Sequence, residues 1–192
     1  MKKRIIIATV LFINIILLLT QCTYHSADDS IDNTESRYYS AIYGAYNNEC
    51  SVAFFEFANI LDLLGKCKNS DDIIYIKGRI DGYTSRGTFM YSLIQENIKQ
   101  TKIPILDTDF NDSVFEALKY MKDYLTKVND ILAKKDIDTL TGLTPEFDEL
   151  HSLTTKFDIN NTLYNNKSNK TEDIKIINQI IKVFTSSKIF VE

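Results

Sequence analysis

Between Tyr46 and Gly65 the chain reads YNNECSVAFFEFANILDLLG. Tyr46, Cys50, Ala53, Phe54, Phe57, Ile60, Leu61 and Leu64 recur there at steps of three and four. That period lines them up along one side of an α-helix. Gly65 is a plausible stop. Followed backwards, the stripe takes in Tyr39, Ile42 and Tyr43, so the spacing predicts a helix from about Glu35 to Leu64.

The same period governs the rest of the chain. A second stripe follows Asn69-Ser70, with Asp71 and Asp72 in the first turn, where the helix dipole favours acids. It runs through Ile73, Ile76, Ile80, Tyr83, Gly87, Met90, Ile94 and Ile98 to a linker holding Pro104. A third, close to a heptad, joins Phe110, Val114, Leu118, Met121, Leu125, Val128 and Leu132. A fourth opens at Thr144-Pro145-Glu146, an N-cap followed by proline at the first helical position, and offers Phe147, Leu150, Leu153 and Phe157. After an Asn-rich loop, INNTLYNNKSNK, a fifth opens at Thr171 with Ile174, Ile177, Ile181 and Phe184. Strand-style alternation is scarce, and the 192 residues hold only six glycines and two prolines. Each apolar face must be buried against another. The expected fold class is all-α, a single-domain bundle of about five amphipathic helices over residues 36–192.

The N-terminus reads differently. MKKR is basic, and IIIATVLFINIILLLT, from Ile5 to Thr20, is apolar apart from Asn14 and its two threonines. As a helix those sixteen residues span ~24 Å, short of the roughly 30 Å hydrocarbon core of a bilayer. Basic, apolar and cut-site regions in this order are the layout of a signal peptide, here residues 1–21. Cleavage after Ala27 would put His25 at the minus-three position, a poor site. Residues 22–35 are polar and acidic, with Asp28, Asp29, Asp32 and Glu35, and read as a flexible tether. Without residues 1–21 the chain keeps 19 basic and 26 acidic residues, a net charge of −7. That balance argues against a nucleic-acid partner and against a basic membrane-surface patch.

Leu19-Thr20-Gln21-Cys22 resembles the lipobox of bacterial lipoproteins, in which the cysteine becomes the N-terminus and carries acyl chains. The departure is Gln21, where Gly, Ala or Ser is usual; spirochaetal lipoproteins are looser at this position. The resemblance implies lipidation at Cys22 and attachment to a membrane. About 0.8 kcal/mol per buried methylene makes a multiply acylated cysteine a stable anchor.

Chemical constellations are few. Cys50 and Cys67 could form a disulfide in an exported protein. Continuous helix would hold them ~25 Å apart, against the roughly 7 Å that a disulfide allows, so two free thiols are expected. Asp107, Asp109, Asn111 and Asp112 begin like a calcium loop, but the sixth position is Asp112 instead of glycine and the twelfth is Leu118 instead of glutamate. The cluster reads as the cap of the third helix. Gly78 and Gly82 read as a close helix crossing, a bend or a break. His25 and His151 are the only histidines, and no set of residues has metal-ligand spacing. No phosphate loop or nucleophile elbow is present. Glu146, Asp148 and Glu149 read as dipole partners at a helix start. No catalytic, cofactor or metal residues are expected, and no enzymatic activity. Among the tyrosines of YYSAIYGAY, Tyr39, Tyr43 and Tyr46 fall on the core face and Tyr38 off it.

Lipobox, polar tether and an Ile-, Lys- and Asn-rich helical domain together are similar to the helical surface lipoproteins of spirochaetes (Borrelia-type). RYYSAIYGAYNNEC, from Arg37 to Cys50, resembles the opening of the factor-H-binding, complement-regulator-acquiring lipoproteins. What this implies is an outer-membrane lipoprotein facing the cell exterior, binding a host protein as an adhesin or immune-evasion factor. The other reading is a periplasm-facing envelope lipoprotein with a scaffolding role and no host ligand. Neither assigns ligand-binding residues or an oligomeric state.

Overall fold

The computed structural model describes residues 37, 40–41, 44–101, 108–158 and 167–191. Cys22, the signal peptide, the tether, His25, Tyr38, Tyr39, Ile42, Tyr43, Pro104 and Asp107 lie outside the described residues, as do the side chains of Met90, Ile94, Ile98 and Asp109.

The fold is an all-α helical bundle. The first helix, α1, is described over 44–65 and ends at Gly65 as its sequence suggests. It is followed by α2 (Ser70–Thr101) and α3 (Thr108–Ala133). Then come α4 (Ile137–Gly142), α5 (Thr144–Lys156), α6 (Lys167–Ser186) and α7 (Lys188–Val191). Among the described residues there is no strand. The helices from Gly44 onward belong to one compact unit.

Local chemistry sets the boundaries. Asn69 caps α2, its Oδ1 accepting from the backbone N–H groups of Asp71 and Asp72 at 2.9 and 3.0 Å. Asp72 Oδ2 accepts in return from the N–H groups of Lys68 and Asn69. This reciprocal box satisfies two N–H groups of the first turn, which a helix start leaves without partners, and two on the residues just before it. The end of α3 closes with a Schellman pair: Asp136 N–H donates to the Ile131 carbonyl and Lys135 N–H to that of Leu132. Lys135 adopts φ 56°, a left-handed conformation that suits glycine. Lys135→Gly is therefore expected to stabilise the fold by about 0.5–1 kcal/mol in urea denaturation.

The α4 turn was not foreseen from the sequence. Asp136 nucleates it by accepting from both the N–H and the hydroxyl of Thr139 at 3.0 and 2.6 Å, and Leu140 is its buried anchor. One residue, Leu143, then separates α4 from α5. Leu143, and not Thr144, is the N-cap of α5, with no side-chain cap bond. At the other end of the loop, α6 begins at Lys167, four residues before the expected Thr171.

The α3 helix packs against both α2 and α6, and α5 packs on α6. Ring contacts bring α1 into the same core. Phe57 lies 6.4 Å from Tyr124 of α3 and 5.8 Å from Phe184 of α6, centroid to centroid. Tyr46 meets Phe115 edge-on at 5.9 Å. The predicted stripes are the core: Phe57, Ile60, Ile80, Val114, Met121, Leu125, Val128, Phe147, Leu150, Ile177 and Phe184 are all fully buried. Fully burying a large apolar side chain contributes about 1.5–3 kcal/mol, so the stripes hold the bundle together.

Gly78 and Gly82 do not mark a crossing or a break. A Cβ at either position would meet nothing within 4 Å, and α2 continues through both. They sit on the outward side of the helix. Cys50 and Cys67 carry free thiols, as the helix geometry required. Burial pushes the Cys50 thiol up to about 12, with Glu49 adding to the effect and Tyr46 opposing it. Cys67 is only half-buried and is also raised, by burial and then by Asp72. Since the thiolate is the reactive form, iodoacetamide at pH 8 is expected to modify Cys67 at least about tenfold faster than Cys50 in the folded protein. Peptide mapping after timed quenching reads both rates, which should converge in urea.

Candidate functional site

The seam between α1 and the end of α5 is one place among the described residues where apolar chemistry reaches the surface. The two helices run antiparallel. The Gly65 end of α1 lies beside Asp148 in the first turns of α5, whose Oδ1 is 3.7 Å from where a Gly65 Cβ would stand. At the opposite end Phe54 packs on Phe157, rings 4.4 Å apart. Between those contacts the facing residues, Ala58 and Thr154, are small. They leave a groove of about 200 Å³.

Phe54 and Phe157 are buried beneath this groove, while Phe55 stands at its edge and is 64% exposed. Thr154 Oγ1 donates to the Leu150 carbonyl at 2.7 Å, and Thr155 Oγ1 to that of His151 at 2.8 Å. With both hydroxyls turned back onto α5, the groove has little hydrogen-bonding capacity along that wall. Its volume is below the usual few hundred Å³ of a small-molecule pocket and suits one or two side chains of a larger partner. Val52, on the outer side of α1, is 43% exposed and widens the apolar surface. Ile74 and Tyr75 form a second exposed apolar pair on α2.

Asp158 lines the groove at the α5 end. Its charge reaches Asp173 of α6, which is only 7% exposed and whose Oδ2 has no hydrogen-bond partner. Burial, then Asp158, then Glu172 push the Asp173 carboxyl up to about 6. The sign of the consequence follows from proton counting. Between the ordinary carboxyl value near 4 and the folded value near 6, the folded chain binds more protons than the unfolded chain, so stability falls as pH rises through that window. A rise from near 4 to about 6 is equivalent to about 3 kcal/mol; screening by the solvent around the exposed Asp158 and Glu172 reduces the expected effect to about 1 kcal/mol. Asp173→Asn should remove that decline, which urea denaturation at pH 4 and pH 7 measures directly.

A second polar cluster has a different character. Glu146 Oε1 accepts from the Tyr124 hydroxyl and from Ser187 Oγ, each at 2.6 Å. Ser187 Oγ also accepts from the Ile189 N–H at 3.2 Å and so caps α7. Burial and the neighbouring Glu146 raise Tyr124 far above an ordinary phenol, so it stays a proton donor. Serine, tyrosine and glutamate together can suggest nucleophilic catalysis. Here both hydroxyls are buried and both already donate to one carboxylate oxygen. The cluster ties α3, α5 and α7 together. Glu146 was expected to serve only the helix dipole alongside Asp148 and Glu149; those two are exposed, and Glu146 is a fastening residue.

Among the described residues no three His, Cys, Asp or Glu side chains come together as metal ligands, and His151 stands half-buried on α5. Asn111 and Asp112 lie at the start of α3, Asn111 buried and Asp112 exposed. The lipidation residue Cys22 lies outside the described residues. The groove itself escaped the sequence reading, although Val52 and Phe55 carried a signal: both are apolar and both fall off the stripe set by Phe54 and Phe57.

No helix among the described residues is long and apolar enough to cross a membrane. No family model, curated protein or solved structure matches the chain.

Proposed function

We propose that this chain is a lipoprotein, anchored through acylated Cys22 in the bacterial outer membrane, that displays its helical bundle to the cell exterior and binds a host protein. The observation that carries the reading is the run from MKKR through the apolar segment to Leu19-Thr20-Gln21-Cys22, followed by an acidic tether. A lipid, a tether and a folded domain form a display device. The bundle supports a binding role. Its buried hydroxyls and Glu146 are engaged in holding helices together, and its exposed apolar side chains, Phe55 among them, offer contact surface. Phenylalanine at the edge of a groove is the kind of anchor that protein interfaces use. A complement regulator is the first host ligand to screen, on the resemblance of Arg37 to Cys50.

Two measurements test this. Metabolic labelling with radioactive palmitate should mark the protein, and Cys22→Ala should lose the label. Protease added to intact cells of the native organism should remove the protein while periplasmic controls survive. Full protection would sink the host-binding reading and favour the periplasm-facing scaffold.

A further inference from the structure

We infer that the peptide bond after Arg37 is a release site, where a trypsin-class endopeptidase frees the folded bundle from its membrane anchor. Release from a membrane rests on the lipoprotein reading proposed above; the cut site rests on the chain itself. Two independent observations converge on it.

The first is the placement of basic residues. From Thr23 to Gly65 the chain holds a single lysine or arginine, Arg37, and the next is Lys66. A trypsin-class enzyme seats a guanidinium or ammonium in an acidic pocket beside its catalytic serine. It therefore has one place to cut between Cys22 and the end of α1. The residues flanking the bond, Ser36 and Tyr38, add no acid that would oppose that pocket. Hydrolysis breaks the amide between the Arg37 carbonyl carbon and the Tyr38 nitrogen. Water supplies the oxygen that makes Arg37 a carboxylate and the proton that makes Tyr38 an amine. Residues 22–37 stay with the lipid, and residues 38–192 leave.

The second is packing. Arg37, Ser40, Ala41 and Gly44 are all exposed, and the first buried residue among those described is Tyr46. A Cβ at Gly44 would meet nothing within 4 Å. Arg37 precedes the compact unit that begins at Gly44. Its backbone can open into the extended form that a protease binds without drawing a described core residue into water, and cleavage follows the population of such openings. The next basic positions are held shut. Lys66 and Lys68 lie in the turn between buried Leu64 and buried Ile73. Lys66 N–H donates to the Leu63 carbonyl at 3.2 Å and Lys68 N–H to Asp72 Oδ2 at 2.9 Å. Lys134 and Lys135 lie between buried Leu132 and buried Leu140, with both N–H groups bonded to carbonyls of α3. Opening either turn exposes core residues; opening the backbone at Arg37 does not.

The test uses the full chain in a non-ionic detergent with limiting trypsin, the fragments being identified by mass spectrometry. The expected first product is 38–192, with Tyr38 at its N-terminus and the helical circular dichroism of the uncut chain. Arg37→Gln should slow its appearance about a hundredfold or more, because the acidic pocket is left without its cation, and Arg37→Lys should restore it. Lys66→Gln should leave the first cut unchanged. A first cut at any other lysine or arginine after Cys22, Lys102 in the linker included, would overturn the inference. So would equal cleavage of Arg37→Gln, or a released fragment that has lost its helix. Intact cells separate this from the functional reading. Protein that is protected on cells but cut at Arg37 once solubilised sinks surface display and retains the cut site. Protein lost from the cell surface without 38–192 in the medium removes the release site alone.

Discussion

Phe184→Ala is expected to lower the unfolding free energy by about 3–5 kcal/mol, the range for deleting a buried aromatic ring. Phe184 is fully buried on α6 and is the ring on which the bundle converges. Its neighbours are Phe57 of α1 at 5.8 Å, Tyr120 of α3 stacked at 5.9 Å, Tyr124 of α3 at 5.3 Å and Phe190 of α7 at 6.4 Å. These contacts come from three other helices, so relaxation of any one of them cannot fill the space. Removing the ring loses its transfer free energy and leaves a cavity whose walls are themselves rigid rings. Aromatic pairs add about 0.5–1.5 kcal/mol beyond area burial, and several are lost together. Domains of this size have about 5–15 kcal/mol in total, so the variant should unfold at markedly lower urea with an unchanged slope. Phe184→Leu, which refills most of the volume, should recover much of the loss. A change below about 1 kcal/mol in the alanine variant would mean that the four helices do not meet at this ring.

The expectation of a bundle succeeded because the signal is repetitive. One misplaced apolar residue does not disturb a stripe of eight, and Tyr46 to Leu64 forms the core face of α1 with every member buried. Gly65 as a stop and a helix start next to Asn69-Ser70 were readable because each is local chemistry on neighbouring backbone groups. Short elements were not. The six residues of α4 hold a single buried anchor, Leu140, which is too little for a period to show. The glycines misled for a related reason. Gly78 and Gly82 at four-residue spacing state that a face is small, not what opposes it, and no described atom lies within 4 Å of a Cβ there. The candidate site was legible least of all. A seam is a relation between two helices, and the antiparallel pairing of α1 with α5 that sets Ala58 across from Thr154 has no trace in either period. Asp173 lies only two residues past Thr171, the expected start of the fifth helix. An earlier start to α6, at Lys167, moves it inside the helix and onto the buried side.

Glu146→Ala is the other change with a large expected effect, about 2–4 kcal/mol of lost stability, and its cause is polar. One carboxylate oxygen accepts two short bonds, from Tyr124 and from Ser187. Hydrogen bonds to charged groups contribute about 1.5–3 kcal/mol, and a buried hydroxyl left without an acceptor carries a further desolvation penalty. The alanine variant strands both hydroxyls. Tyr124→Phe removes a donor instead, leaves Glu146 with Ser187, and should cost only about 1 kcal/mol. Glu146→Gln keeps an acceptor and should fall between them. The double variant Glu146→Ala with Tyr124→Phe should be more stable than Glu146→Ala alone, because the stranded phenol is gone; a double-mutant cycle in urea measures that coupling. Alkaline titration gives an independent reading. The unfolded chain ionises its tyrosines near pH 10, while Tyr124 keeps its proton in the fold, so the folded state binds the extra proton and stability declines as pH rises past 10. Tyr124→Phe should make that decline shallower. Additive single effects together with an unaltered alkaline slope would show that the carboxylate does not join α3, α5 and α7. Loss of Glu146 should also free Ser187 from its role as the cap of α7, where Lys127 Nζ donates to the Ile189 carbonyl at 2.9 Å and lies 4.7 Å above the Phe190 ring. Hydrogen exchange should therefore rise first in α7, while α2, which Glu146 does not touch, keeps its protection until the whole domain opens.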